Sequence, residues 1–441
     1  PARHPGYALD DMIGVSGLEA GLEPWLFGRP GRELVEVDNR GLPIRRQTVE
    51  AAVPGEDVVT TLDPDAQRAA EEALAGAVAY VNAYRLQEEL PEIDVARGAL
   101  LAMDVASGDV LAMASWPSFD QNVFTHRPSD PDAVAAILGD DRLMPLQNRA
   151  IEAFPPASTF KVLSSYTLLE EGFVTAAERF ACTVSVSFGG ITWHNWAEYY
   201  RGRQNAAEAI ADSCNTYYWH AALETPGFGD GWGPFVQALH DDALEFGYGQ
   251  PVGIGLPGER AGRGPDPDWV REVKDTSWYP GYTLNTVIGQ GDVLATPLQT
   301  LRFVGALANR GTLVEPRLVA RVGEQPQDTV RRELPGRSWD VLAEGMRRMV
   351  TDHGSSRVIG PAASFPLTVA GKTGTAENGR PDGYEHAWFM AYAPAEEPRV
   401  AVVVFLENAG SSSATAVPVV RDFLVDYYRL PVLVAEGANG P

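Results

Sequence analysis

Lysine is nearly missing from this chain. Its 441 residues carry 35 Lys and Arg together, yet the lysines are Lys161, Lys274 and Lys372, with arginine at the remaining basic positions. Arginine keeps its charge permanently, whereas burial and neighbours can make a lysine give up its proton. A chain that otherwise uses Arg has reason to keep Lys where deprotonation matters. A coding bias that missed a few positions would leave the same count, so the surroundings of each lysine decide between the two readings.

Other shortages exclude whole classes of function. Cys182 and Cys214 are too few for a disulfide framework or a Cys-rich zinc site, and both are read as free thiols. The seven histidines are scattered without HExxH or HxH spacing, so the expectation is no metal and no cofactor. Positive charge is short as well: a net charge of -24 and a pI near 4.7 argue against nucleic acid and anionic lipid surfaces as partners. No apolar run reaches the roughly 18 residues that span a bilayer. The most apolar stretch, VAVVVFL at 400–406, is strand-sized. As written the chain reads as soluble; it starts at Pro1 rather than methionine, the form of a processed or partial chain with a signal or anchor upstream.

What is present suffices for a sizeable core, with 45% hydrophobic residues and room for one large and one small domain. Residues 1–92 are turn-rich and read as a front segment with little core, ending in a strand and a long helix that Asp63 caps before Pro64. From residue 93 the pattern changes. GALLAMDVASGDVLAMAS reads as a hairpin, and the far end supplies matching strands in PLTVAGKTGTAE, HAWFMAYAP and RVAVVVFLEN, joined by the turns NGRPDGYE and AEEP. A helix over AVPVVRDFLVDYYRL follows. Strands at both ends with helical sequence between them predict an α/β chain of the α+β kind, in which a central antiparallel sheet carries helices on both faces.

Lys161 lies in FPPASTFKVL, where Phe160, Leu163, Tyr166 and Leu169 repeat at helical spacing up to Gly172. Ser158 falls at the helix start, one turn before Lys161 and on the same face. A serine needs a base to become a nucleophile, and a desolvated neutral lysine can serve. The helix N-terminus also offers N–H groups and a positive dipole end to an oxyanion. Alone, SxxK also fits a helix cap beside a surface lysine. Lys372 changes that, because AGKTGTAE sets Lys372, Thr373, Gly374 and Thr375 on a strand, where a glycine lets an extended peptide backbone approach and hydroxyls beside an ammonium suit a carboxylate. Lys274, in WVREVKDTSWYPG, has no such context and reads as surface. Between the two motifs, IADSCNTYYW breaks a helix at Ser213-Cys214-Asn215, so that Ser213 and Asn215 face one cavity and Cys214 faces away. There a hydroxyl can relay a proton and an amide can hold a substrate backbone.

The ordered triplet STFK, SCN, KTGT resembles the penicillin-binding protein and serine β-lactamase superfamily. IGQGDVLATPLQ at 288–299 and the front motifs IGVSGLE, GRPG, EVDNRG and TTLD resemble class B penicillin-binding proteins of the elongation type. That resemblance implies a transpeptidase domain at 93–433, a pedestal remnant at 1–92 and a tail at 434–441. By it, Ser158 is the acylated nucleophile, Lys161 its base and Ser213 the relay. Lys372 joins the catalytic set; Asn215, Thr373, Gly374 and Thr375 bind substrate, and the N–H groups of Ser158 and Thr375 form the oxyanion hole. It implies D-Ala-D-Ala stem peptides as substrate, acylation by β-lactams, a membrane-bound glycosyltransferase and cell-shape complex as partner, no nucleic acid, and a place on the extracytoplasmic face of the bacterial inner membrane. FACTVSVSFGG departs from the pattern, with Cys182 alone where relatives have a Cys pair and Gly-His-Gly, so the relatives' disulfide is not carried over.

Two rivals stand beside this reading. PASTFK also resembles class D β-lactamases and sensors, but those chains are much shorter and typically have valine at the position of Asn215. A non-catalytic wall-assembly scaffold is the other. GIGLPG at 253–258 fits GxGxxG, yet Pro257 and the sequence after it prevent the helix a dinucleotide site needs, so it reads as a loop. His386 reads as structural, and the Tyr and Trp residues at 193–200 as packing residues.

Overall fold

A run such as VAVVVFL, apolar at every position, belongs to a strand covered on both faces. In the computed structural model, which describes Tyr7 and residues 12–125, 130–353, 356–377 and 384–431, each residue of Val400–Leu406 is buried. The chain divides into two compact units: residues 1–61 with 253–259 and 317–329, and residues 62–252, 260–316 and 330–441.

The first unit holds helix α1 (Gly17–Leu26), an antiparallel pair β1 (Arg32–Val37) and β2 (Pro43–Glu50), and a short strand β3 (Val58–Thr60) that pairs with Val319–Val322. Every residue of β1 and β2 is exposed. GIGLPG forms a loop, as expected.

The second unit is built on strands β4 (Gly98–Asp104), β5 (Val110–Trp116), β6 (Ala370–Ala376), β7 (His386–Ala393) and β8 (Val400–Leu406). They form one antiparallel sheet in the order β6-β7-β8-β4-β5, with the two ends of the chain joined where β8 pairs with β4. The helices that frame the sheet and the site are α2 (Pro64–Gln87), α3 (Lys161–Glu170), α4 (Ala206–Asp212), α5 (Asn215–Leu223), α6 (Pro297–Ala308), α7 (Trp339–Asp352) and α8 (Ser412–Tyr428), among others in this unit. Helices α2 and α8 share a core with alternate sheet residues such as Leu100, Ala102, Val402 and Val404. Wholly buried α6 packs on the opposite face, where a Cβ at Gly305 would stand 2.5 Å from the Met103 side chain.

One expectation needs correction here. Asp63 does cap α2, accepting from the N–H groups of Asp65 and Ala66 at 2.9 Å, but the helix is no part of a core-poor segment. Its stripe Ala66, Ala69, Ala70, Ala73, Ala77 and Val81, at helical spacing, is buried in the sheet core, small side chains allowing a close approach. The 434–441 tail and most of the NGRPDGYE turn lie outside the described residues. Among the described residues no helix is long and apolar enough to cross a membrane.

Candidate active site

Strand β6 is an edge strand, and at Gly374 it passes close to the turn that carries Ser158. The approach is close because Gly374 has no side chain: a Cβ there would stand 3.0 Å from the Pro156 carbonyl oxygen and 3.0 Å from the Thr159 methyl group. Ser158 lies in a single 3-10 turn, Ala157–Thr159, that runs into α3 at Lys161, and it is half-buried. The turn is built under constraint. Ala157 has φ 50°, a left-handed conformation uncommon outside glycine, and its N–H donates to the Gly289 carbonyl at 2.9 Å. A Cβ at Gly289 would stand 2.1 Å from the Ala157 oxygen, so the IGQGD motif needs its glycine to back the turn. Trp388 Nε1 donates to the Pro155 carbonyl at 3.0 Å and Ser164 Oγ to the Val287 carbonyl at 2.8 Å, fixing both sides.

Both motif lysines are wholly buried. Lys161 Nζ donates to the Ser213 carbonyl at 2.7 Å and to Asn215 Oδ1, and lies 3.3 Å from Ser213 Oγ. Lys372 Nζ donates to the same Ser213 Oγ at 2.9 Å and to the Thr373 carbonyl at 2.9 Å. One hydroxyl therefore joins the two amines. Burial first, and the charge of Lys372 second, hold Lys161 well below the usual lysine range. Burial lowers Lys372 to about 7. A neutral amine has two N–H bonds and one lone pair; with the Ser213 carbonyl and Asn215 Oδ1 accepting the N–H bonds, the lone pair of Lys161 is left for a hydroxyl proton. Thr373 and Thr375 are half-buried on β6, on the same face of the strand.

The Ser213 turn ends α4 with φ 55°, again left-handed, and Asn215 begins α5. Ser213 and Asn215 reach Lys161 while Cys214 turns away, but Cys214 is not a free thiol. It is bonded to Cys182, and this corrects the expectation of two free cysteines. The pair was not apparent because the two residues are 32 positions apart, Cys182 standing without its relatives' Gly-His-Gly.

Several contributors were not singled out from the sequence. Ser412 Oγ, at the start of α8, donates to the Gly374 carbonyl at 2.6 Å and lies 2.9 Å from Thr375 Oγ1, tying helix to strand beside the site. The SSS run at the start of α8 was the available signal. Asn195 Oδ1 accepts from the Asn215 N–H at 3.2 Å. Arg201 grips Asp212 with two bonds of 2.8 and 2.9 Å, and Gln204 and His353 bond to the same carboxylate. Burial works against that carboxylate, yet Arg201, His353 and Gln204 together hold its pKa below the usual range. Trp193 packs near Trp219, whereas Trp196, Tyr199 and Tyr200 are exposed, a second correction to the reading of 193–200. His386 is structural, its Nδ1 accepting from the Asn408 N–H at 3.1 Å between the rings of Phe154 and Phe405. Lys274 is at the surface on Asp292, 2.7 Å away.

Residues 98–425 match the penicillin binding protein transpeptidase domain, and residues 2–60 the penicillin-binding protein dimerisation domain. The chain belongs to the penicillin-binding protein transpeptidase family. It is 31% identical to the peptidoglycan D,D-transpeptidase MrdA of Haemophilus influenzae over 97% of its own length and 65% of that protein's, so it spans about two thirds of this curated relative. Among solved structures, it is similar to a chain described under the structural coordination of polymerization and crosslinking by a peptidoglycan synthase complex, at 42% identity and a TM-score of 0.88, covering 98% of this chain and 73% of that one. It is also similar to Pseudomonas aeruginosa PBP2 in complex with WCK 5153, at 32% identity and a TM-score of 0.76, covering 94% and 84% of the two chains.

Proposed function

We propose that this penicillin-binding protein chain catalyses peptidoglycan D,D-transpeptidation through a serine acyl-enzyme. The observation that carries the reading is the pair of buried, proton-poor lysines joined through Ser213 Oγ beside the Ser158 turn. In this reading neutral Lys161 takes the Ser158 proton as Oγ attacks the carbonyl of a D-Ala-D-Ala stem, and the N–H groups of Ser158 and Thr375 hold the oxyanion. The proton then passes through Ser213 to the departing D-alanine amine. The peptide lies along the free edge of β6, with its terminal carboxylate toward Lys372, Thr373 and Thr375, while the Asn215 amide holds its backbone. An acceptor amine later takes the acyl group and frees Ser158.

β-Lactams enter the same path and stop at the ester. The named activities of the similar proteins, a D,D-transpeptidase and a peptidoglycan synthase complex, support this reading; the membrane-bound glycosyltransferase partner and the extracytoplasmic face of the inner membrane belong to it as the setting the family resemblance implies. We assign the 93–433 region of the notional transpeptidase domain an earlier start, at Leu62, because α2 belongs to the sheet core.

The test is intact-mass and peptide mass spectrometry after penicillin. One drug equivalent should add at Ser158, persist for hours and be absent from Ser158→Ala. Labelling at another serine overturns the assignment, and rapid nitrocefin turnover would instead favour the β-lactamase reading.

A further inference from the structure

The Ser213 carbonyl has two donors. Lys161 Nζ stands 2.7 Å from it, and Trp196 Nε1 donates to the same oxygen at 3.0 Å. Trp196 is 56% exposed, so core packing does not explain an indole at this position. It belongs to a strap, residues 195–204, that grips the turn residue by residue. Arg201 and Gln204 hold Asp212, Trp196 holds the Ser213 carbonyl, and Asn195 holds the Asn215 N–H, while Cys182 holds Cys214. The Arg201 guanidinium also lies over the Trp196 ring, 5.3 Å from its centroid, linking two of these grips.

We propose that Trp196 is a positioning residue of the acylation step: its indole N–H orients the Ser213 carbonyl, and through that oxygen the amine of Lys161. The inference rests on the acyl-transfer reading. An oxygen that already accepts one hydrogen bond is a weaker acceptor for the next. With the indole in place, the carbonyl therefore favours the charged form of Lys161 less than it would alone. Other titratable groups facing Lys161 are Lys372 on β6 and Tyr218 on α5, whose ring centroid is 5.6 Å from Nζ. Neither contacts the indole in any bond named above, so both are constant when Trp196 changes. Removing the N–H frees the carbonyl for the ammonium and loosens the left-handed turn. Both effects reduce the fraction of Lys161 that is neutral and aimed.

The experiment measures the second-order rate of acylation by a fluorescent penicillin from pH 5 to 10, with melting temperature, for wild type and Trp196→Phe. A benzothiophene analogue of the indole, introduced at 196, removes the N–H alone and decides the matter if the Phe variant does not fold. The expected result is a loss of about 5- to 10-fold at pH 7, the scale of one hydrogen bond, with the acid limb of the profile moved to higher pH and a small change in melting temperature. An acid limb that stays in place or moves to lower pH overturns the proposal, whatever the rate. Absence of labelling at Ser158 in the wild type would overturn the acyl-transfer reading itself, and this one with it; normal wild-type labelling with superimposable profiles overturns only the role of Trp196.

Discussion

Lys161 and Lys372 reach the same hydroxyl from opposite kinds of structure. Lys372 stands on β6, where seven consecutive register pairs with β7, from Ala370 opposite Tyr392 to Ala376 opposite His386, fix its place. Lys161 opens a helix, and its partners are Ser213, in the two-residue turn between α4 and α5, and Asn215, the first residue of α5. A strand is held by its ladder along its whole length. The Ser213 turn has no ladder; it depends on a disulfide, an indole, a guanidinium and an amide brought from residues 182–204. Regular structure positions one amine and imported contacts position the other, so the two should fail differently.

The largest expected effect separates their chemistry. Lys161→Arg keeps a positive charge but removes a base, since arginine does not deprotonate in proteins. Acylation by a fluorescent penicillin should fall by about 100- to 10,000-fold. Lys372→Arg retains the carboxylate-binding charge and should lose less. Equal losses, or a faster Lys161→Arg enzyme, would show that the two amines do not divide the work in this way.

The next effect falls on the support of the turn. Removing the Cys182–Cys214 bond by Cys182→Ser with Cys214→Ser releases a loop closed across 32 residues, a stability loss of about 3 to 4 kcal/mol. Chemical denaturation should read that loss, and acylation should slow beyond the change in folded fraction because Ser213 and Asn215 flank Cys214. If stability falls while the acylation rate per folded molecule is unchanged, the bond holds the fold and not the site.

The same contrast explains what was legible in the sequence. The sheet could be read because β4, β5, β7 and β8 carry their own signals: turn residues between apolar runs, and a fully apolar β8 that needs cover on both faces. SxxK, SxN and KTG were legible as short motifs whose order is itself information, and Ser213 and Asn215 could be aimed together by their spacing of two. The strap was not legible. Trp196, Arg201 and Asn195 meet the turn and the end of α4 across 11 to 20 positions, through isolated side-chain contacts that no periodicity announces. Ser412 was hidden for the same reason, its partner Gly374 being 38 positions away. Helix α2 misled because an alanine-rich stripe resembles a solvated helix until a sheet is laid against it. The disulfide was missed because cysteine scarcity excludes a framework but not a single bond.

The smallest expected effect sharpens the comparison from the side of Lys372. Burial lowers this amine to about 7 in the folded chain, while an unfolded lysine titrates at about 10.4. Between these values the unfolded state binds more protons, so stability rises with pH through that window. The sign follows: the cost of burying the amine is absent above the unfolded value, grows as pH falls from about 10, and is fully present below about 7. Lys372→Met removes the titration and also the bonds to Ser213 Oγ and the Thr373 carbonyl, each worth roughly 1 kcal/mol. The burial cost exceeds that loss at neutral pH, because a shift from about 10.4 to about 7 corresponds to roughly 4 kcal/mol. At pH 7 the variant should therefore melt higher than the wild type although its acylation is impaired, with the gap closing as pH approaches 10. A variant that melts lower at pH 7, or a gap that widens with pH, would mean that Lys372 contributes to holding β6 in place, and that the strand does not position this amine by its ladder alone.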